Sequence, residues 1–207
     1  MAELDKRDQF LIAMYNQLMN DINRHIIVVW QSIATLVAAI AAFSLVKDNI
    51  ISIDIAVTVV LIACVWLIAH VYDASYWYNR NLVIIANIER QFLLQNDLKD
   101  IHYYFGKHRP PGTMISHLRI QRALGVAVAA LVLLFHTYVV IVPALCGLKG
   151  FDLFNLGPWV VFLAGCWVWH RSARDSKIKY EEFLENSPGI AIDTSDIEYR
   201  SGHGFSQ

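Results

Sequence analysis

Four long stretches of the chain contain no formally charged residue. They are residues 25–46, 55–72, 123–148 and 153–170. A bilayer core is crossed by roughly 20 predominantly apolar residues that rise about 1.5 Å each in a helix. Each stretch is long enough for one crossing. The pattern therefore predicts an all-α fold, a four-span transmembrane helical bundle.

Apolar residues also recur at helical spacing outside these stretches. Residues 1–24 form a predicted amphipathic cytoplasmic helix, which we expect to pack on other cytoplasmic helices rather than lie on the membrane. Beyond residue 72 the helical pattern continues, and neither glycine nor proline occurs between Ile55 and Ile101. One helix of about 45 residues is the simplest interpretation. Its polar face is predicted to contain Asn79, Arg80, Asn87, Arg90 and Gln91.

The basic residues predict how the chain is threaded. Lysine and arginine number 17, and all but Lys47 and Lys149 lie before the first stretch, between the second and third, or after the fourth. The positive-inside rule then places both termini in the cytoplasm. Residues 25–72 and 123–170 become two transmembrane hairpins. Residues 73–122 become a cytoplasmic helix and connector, 171–187 a second cytoplasmic helix, and 188–207 a flexible tail.

Composition agrees with a membrane protein and narrows the range of partners. Charged residues make up 17% of the chain, below the roughly 25% of soluble domains. The net charge of −1 gives no general attraction to nucleic acid, so direct nucleic-acid binding is not expected. The partners that we expect are the lipid bilayer and further copies of the chain.

Small residues at four-residue spacing let helices approach closely in lipid. Such rows are Ala34, Ala38 and Ala42 in the first span, and Gly125 and Ala129 in the third. We expect these residues in helix contacts within or between subunits. A large residue at position 38 or 125 is predicted to weaken assembly.

Polar side chains inside a span are functional candidates because their burial in lipid is unfavourable. Gln31, His136 and Thr137 are the candidate pore or intramembrane polar residues. Two interpretations of His136 stay open, a pore-lining or proton-linked group and a neutral imidazole bonded between helices. Asp54, at the outer edge of the second span, is predicted to cap that helix.

The predicted cytoplasmic segments contain basic residues but no catalytic motif. Arg80, Arg90, Lys107 and Arg109 form a candidate cytoplasmic partner surface, and the same charges act as a topology signal. Motifs of phosphate-binding loops, zinc peptidases, serine hydrolases and paired cysteines do not occur. We therefore expect no enzymatic activity, no cofactor and no metal.

The aromatic exit from the second span, residues 72–78, and the helical stretch 84–98 resemble small bacterial membrane proteins of the SLATT type. The chain is similar as well to the four-span accessory proteins found beside Cas13b effectors and to accessories of the RADAR defence system. This resemblance implies an oligomeric inner-membrane component of anti-phage defence, which permeabilises the membrane or recruits cytosolic defence proteins. The alternative is a small channel or transporter of ordinary physiology.

Overall fold

A computed structural model describes residues 5–94, 97, 114–148, 150 and 152–187. This part of the chain is helical almost throughout and contains no strand. Its helices are α1 (Lys6–Ile40), α2 (Ala42–Lys47), α3 (Ile53–Phe92), α4 (Ser116–His136), α5 (Val142–Leu145) and α6 (Gly157–Glu185). A π turn, Thr137–Ile141, joins α4 to α5, and a 3₁₀ turn, Leu153–Leu156, leads into α6. The all-α prediction is confirmed.

Within the described residues, four helical stretches are long and apolar enough to cross a membrane. They are Lys6–Lys47, Ile53–Phe92, Ser116–Leu145 and Leu153–Glu185. The four uncharged stretches of the sequence overlap them one for one. The orientation of the termini stays a prediction.

The chain divides into two compact units, and α1, α3 and α6 contribute residues to both. The terminal unit contains α1 up to residue 25, α3 from residue 76 and α6 from residue 177. The apolar unit contains α1 from residue 26 with α2, α3 up to residue 75, and the described residues from 114 to 176. Apart from His25, the four uncharged stretches all fall in the apolar unit.

Helix α3 is the most deeply buried helix of the apolar unit. Half of its most apolar window is buried, against a third or less for each of the other three candidate spans. Its buried side chains include Val57, Leu61 and Leu67, and α1 and α4 contribute Leu36 and Val132 to the same core cluster. Large apolar side chains cover the outward faces of the surrounding helices, for example Ile27, Leu131 and Leu163. An exposed apolar surface of this extent is typical of a face that contacts lipid or protein.

Two glycines let neighbouring helices approach α3. A Cβ atom on Gly125 of α4 would lie 3.0 Å from Ile68 Cγ1, and one on Gly165 of α6 would collide with Val65 Cγ2. Ala129, one turn after Gly125, is almost fully buried. The row predicted in the third span therefore makes contacts within the chain. Gly165 was not predicted, because the residues four positions away in the sequence are large.

Helix α3 ends at Phe92, short of the predicted end at Ile101, and residues 98–101 lie outside the described residues. The carboxylate of Asp97 accepts a hydrogen bond from the Leu94 backbone N–H at 2.7 Å. A side-chain acceptor three residues after the donor is typical of the start of a new helical turn, here just beyond the end of α3. Neither glycine nor proline was needed to end the helix.

The third candidate span contains a π turn that the apolar pattern did not predict. Pro143 lies two residues after its end. Proline has no N–H to bond within a helix, and its ring conflicts with the carbonyl four residues earlier, here that of Val139. The π turn, Thr137–Ile141, widens the helix where this conflict arises. Such turns occur frequently at functional sites, and this one begins directly after His136.

Replacement of Gly165 by alanine is expected to destabilise the protein. The added methyl group overpacks the contact with Val65, at a cost of about 1–3 kcal/mol. Gly157→Ala is the matched control, because a Cβ at this helical position meets no described atom within 4 Å. Thermal unfolding in detergent, followed by tryptophan fluorescence, should show a lower melting temperature for Gly165→Ala and an unchanged or higher one for Gly157→Ala. Equal melting temperatures for the two variants would contradict the close approach.

Candidate functional site

A hydrogen bond connects α3 and α4 inside the apolar unit. His136 Nε2, at the end of α4, lies 2.8 Å from Asp54 Oδ1, in the first turn of α3. The imidazole is fully buried, whereas 17% of the aspartate side chain is exposed. Burial of charge in an apolar interior is costly unless the charge is paired, so this pair is a candidate functional feature.

The local sequence around Asp54 leaves its carboxylate free to reach α4. Ser52 caps α3, since its hydroxyl accepts a hydrogen bond from the Ile55 backbone N–H at 3.3 Å. Thr58 donates to the backbone carbonyl of Asp54, at 2.7 Å. The prediction that Asp54 caps the helix is therefore corrected, and the side chain bonds to His136 instead. A carboxylate in the first turn also interacts favourably with the helix dipole.

The second ring nitrogen of His136 has a different environment from the first. Nδ1 is buried and has no hydrogen-bond partner among the described residues. The neighbouring hydroxyl of Thr137 does not serve it, because that group donates to the backbone carbonyl of Leu133 at 2.7 Å. When Asp54 is ionised, Nε2 carries a hydrogen and donates it to the carboxylate. Nδ1 then holds either a lone pair or a second hydrogen.

A cavity of about 430 Å³ lies beside Asp54. Its polar lining comes from α3 and from the turn that precedes α6, and consists of Ser52, Asp54, Thr58, Asp152 and Asn155. Asp152 caps that turn by accepting a hydrogen bond from the Phe154 backbone N–H at 3.1 Å. A cavity of this size with several polar groups in its lining has room for water. Asp54 therefore borders the cavity on one side and the enclosed imidazole on the other.

The other candidate polar residues do not join this site. Gln31 is exposed on α1, and Thr137 is half-buried with its hydroxyl bonded within its own helix. Ala34 and Ala38 are exposed too, and Ala42 is half-buried. The alanine row of the first span therefore contributes little to packing within the chain. Its role in contacts between subunits stays a prediction.

The candidate partner surface is described in part. Arg80 lies over the rings of Trp77 and Phe183, at 5.1 and 5.6 Å from their centroids. Arg90 is half-buried. Lys107 and Arg109 lie outside the described residues. Asn79, which the sequence placed on the polar face, is only 5% exposed, so the packed side of α3 is wider than predicted.

A buried carboxyl group lies in the terminal unit, outside the predicted spans. Tyr15 donates a hydrogen bond from its hydroxyl to Glu89 Oε1 at 3.2 Å, and Glu89 Oε2 is buried without a partner among the described residues. Burial raises the pKa of Glu89 to about 7, although the hydrogen bond from Tyr15 acts in the opposite direction. Burial and the adjacent carboxylate raise the pKa of Tyr15. The sequence contains a signal for this site, because Glu89 continues the apolar row of Leu82 and Ile85 at helical spacing.

The hydrogen bond between Tyr15 and Glu89 is part of the packing of α1 against α3. Leu18 and Ile22 of α1 are buried, and Arg7 donates a hydrogen bond to the side chain of Gln91 at 3.2 Å. The N-terminal part of α1 therefore lies against α3 in the terminal unit, as expected for packing between helices.

No protein-family model, curated protein or solved structure matches the chain. Among the described residues, no group of three or more histidine, cysteine, aspartate or glutamate side chains is placed to hold a metal ion. The site therefore has to be interpreted from its own geometry.

Replacement of Glu89 by glutamine is expected to remove a pH dependence of stability. The folded protein binds this proton more tightly than the unfolded chain, whose carboxyl has the ordinary value of 4.5. The stabilisation is therefore complete below about pH 4.5 and is lost as the pH rises through about 7. The melting temperature of the wild type should fall between about pH 5 and pH 8, and that of Glu89→Gln should fall less.

Glu181→Gln is the control for this comparison. Glu181 is exposed and pairs with Lys177 at 3.7 Å, so its replacement should leave the wild-type slope intact. A Glu89→Gln variant with the same slope as the wild type would show that Glu89 does not bind a proton in this range.

Proposed function

We propose that this chain is a homo-oligomeric, multi-pass protein of the bacterial inner membrane, with both termini in the cytoplasm. It acts in anti-phage defence, where it permeabilises the membrane or recruits cytosolic defence proteins. The four long apolar helices support insertion into a membrane. The resemblance to small membrane proteins of the SLATT type supports the role in defence. Assembly rests on the outward face of α1.

That face of α1 exposes polar and small side chains, whereas large apolar side chains are exposed over much of the remaining outward surface. Gln31, Ala34, Thr35 and Ala38 are all exposed, and their spacing places them on one side of the helix. In lipid, a carboxamide without a partner is unfavourable, and small side chains leave room for another helix. A second copy of α1 would satisfy the carboxamide and fill the space. This face is the observation that carries the proposal.

The same face suggests how an assembly conducts ions. If copies of α1 surround an axis, Gln31 supplies a polar side chain along that axis, and beside it the Thr35 hydroxyl donates to the Gln31 backbone carbonyl at 3.1 Å. By contrast, the hydroxyl of Ser32 is turned into the chain, where it bonds to the carbonyl of Val28 at 3.0 Å. The permeation path then runs between copies and not through one chain.

Partner recruitment is assigned to the terminal unit. The candidate surface includes Arg80 and Arg90 of this unit, and the sequence adds Lys107 and Arg109, which lie outside the described residues. Phe10 of α1 and Leu94 are exposed in the same unit, at 67% and 72%. Exposed apolar and basic groups together are suited to a protein partner with an apolar and acidic surface.

A small channel or transporter of ordinary physiology is the second candidate function. The Asp54–His136 pair favours it, because ionisable groups buried within membrane segments are typical of ion pathways. Steady ion or proton flux through the purified chain in liposomes, without any defence partner, would favour this function over the first.

Replacement of Ala38 by leucine is expected to weaken assembly. The larger side chain separates two facing copies of α1, and the oligomer loses close contacts along the row. Val37→Leu is the matched control, because Val37 is exposed in the same turn but lies off the row. Mass photometry in detergent should show smaller particles for Ala38→Leu and wild-type particles for Val37→Leu. An unchanged mass for Ala38→Leu would remove the proposed interface.

Expression of the chain with its neighbouring genes is expected to depolarise the inner membrane after phage challenge. A voltage-sensitive dye should report depolarisation before lysis, and the signal should be lost when the chain is deleted or carries Ala38→Leu. Val37→Leu again serves as the control. Protection from phage without any change in potential would instead favour recruitment of a partner.

A further inference from the structure

We propose that Asp54 and His136 form a proton-binding site that is loaded from the adjacent cavity. The ligand is a single proton, delivered by water. This site is independent of the defence function and of the oligomeric interface, since all of its residues come from one chain.

The geometry gives the proton a short route. The carboxylate of Asp54 lies in the lining of the cavity and is partly exposed. From there Oδ1 reaches His136 Nε2 at 2.8 Å, a distance suited to proton transfer. A hydronium ion in the cavity transfers a proton to the carboxylate and is left as water, while the hydrogen bond between Oδ1 and Nε2 keeps the carboxyl group joined to the imidazole. No other bond forms or breaks.

Charge explains why this pair would hold a proton. With Asp54 ionised and His136 neutral, the pair carries a net charge of minus one within an apolar unit. One added proton on the carboxylate makes the pair two uncharged groups. An unpaired charge is costly in an apolar interior. Nε2 already donates its hydrogen to Oδ1, and no described residue bonds to Nδ1.

The surrounding charges favour the approach of a cation. Asp152 lines the same cavity, and its carboxylate adds negative potential there. Near the end of α2, Lys47 and Asp48 are exposed. From α2, the ring of Phe43 packs edge-on against Phe135 of α4, with ring centroids 6.0 Å apart. The described contacts of His136 thus include one titratable partner, Asp54.

The position of the bond gives proton binding a structural consequence. The hydrogen bond joins the first turn of α3 to His136, the residue at which α4 ends and the π turn begins. Loss of the proton leaves a net charge at this junction, which attracts water and weakens the contact. We therefore expect the packing of α3 and α4 to depend on the pH on the side to which the cavity opens.

The test uses the full chain in lipid nanodiscs with ¹⁵N-labelled histidine. Nuclear magnetic resonance follows the ring nitrogens between about pH 5 and pH 8. The expected result is a histidine signal that changes with pH, disappears in His136→Gln and no longer changes in Asp54→Asn. His70→Gln is the control, because His70 lies edge-on to Trp66 and is not part of the pair. It should leave the His136 signal intact.

Two results would overturn the proposal. One is a His136 signal that stays constant across this pH range in the wild type. The other is a signal that changes identically in Asp54→Asn, which would show that the pair is not the binding unit. If His136→Gln fails to fold, Asp54→Asn and the pH series of the wild type still decide between these outcomes.

A substitution in the cavity lining tests whether the proton enters through the cavity. Asn155→Trp places a large side chain in the cavity lining, away from Asp54 and His136 themselves. Solvent exchange of the His136 ring hydrogens should slow several-fold in this variant, at the same final protonation. An unchanged exchange rate would show that the proton does not enter through the cavity.

Discussion

Close packing against α3 is the constraint on which the rest of this structure depends. In the apolar unit α3 is buried more deeply than any other candidate span, and glycines on α4 and α6 bring those helices against it. Lipid tails are as apolar as leucine, so the hydrophobic effect does little to hold spans together in a bilayer. Close contacts such as those of Gly125 and Gly165 then carry much of the specificity.

The two acidic side chains discussed above, one partly exposed and one buried, lie on this helix. Asp54 begins α3 and bonds to an imidazole, and Glu89 lies near its end and accepts from a phenol. Each belongs to a different unit, and each has one bonded oxygen facing another helix. Because α3 is packed in both units, a polar side chain on it depends on its neighbours for stabilisation.

The sequence predicted the spans well because the rule behind them is local. A run of uncharged residues of sufficient length is visible without any knowledge of neighbours, and the all-α fold follows from four such runs. The Gly125–Ala129 row was visible for the same reason. Contacts between distant residues were not, and Asp54 was assigned to a cap because its partner lies 82 positions along the chain. A search for small residues four positions apart does not find Gly165, because this single glycine makes the close contact with Val65 by itself.

Two differences between the predicted and observed helices, at the end of α3 and in the π turn, have local causes. Helix α3 ends at Phe92, and the contact between the Asp97 carboxylate and the Leu94 backbone N–H just beyond it depends on geometry that propensity does not specify. Pro143 lies near the end of the third uncharged stretch, and the π turn that accompanies it reaches back to Thr137. The candidate site required the fold, because it combines the start of one helix, the end of another and the turn before a third.

The π turn also fixes the angular phase of α4. A regular helix turns by about 100° per residue, and a π turn accommodates one additional residue in a single wide turn. If the same residues of Thr137–Ile141 wound as a regular α-helix, everything before them would rotate relative to everything after them by about that angle. His136 would then point away from Asp54, although no residue of the pair had changed. In this span, the winding of the backbone specifies the site as firmly as the identity of its side chains.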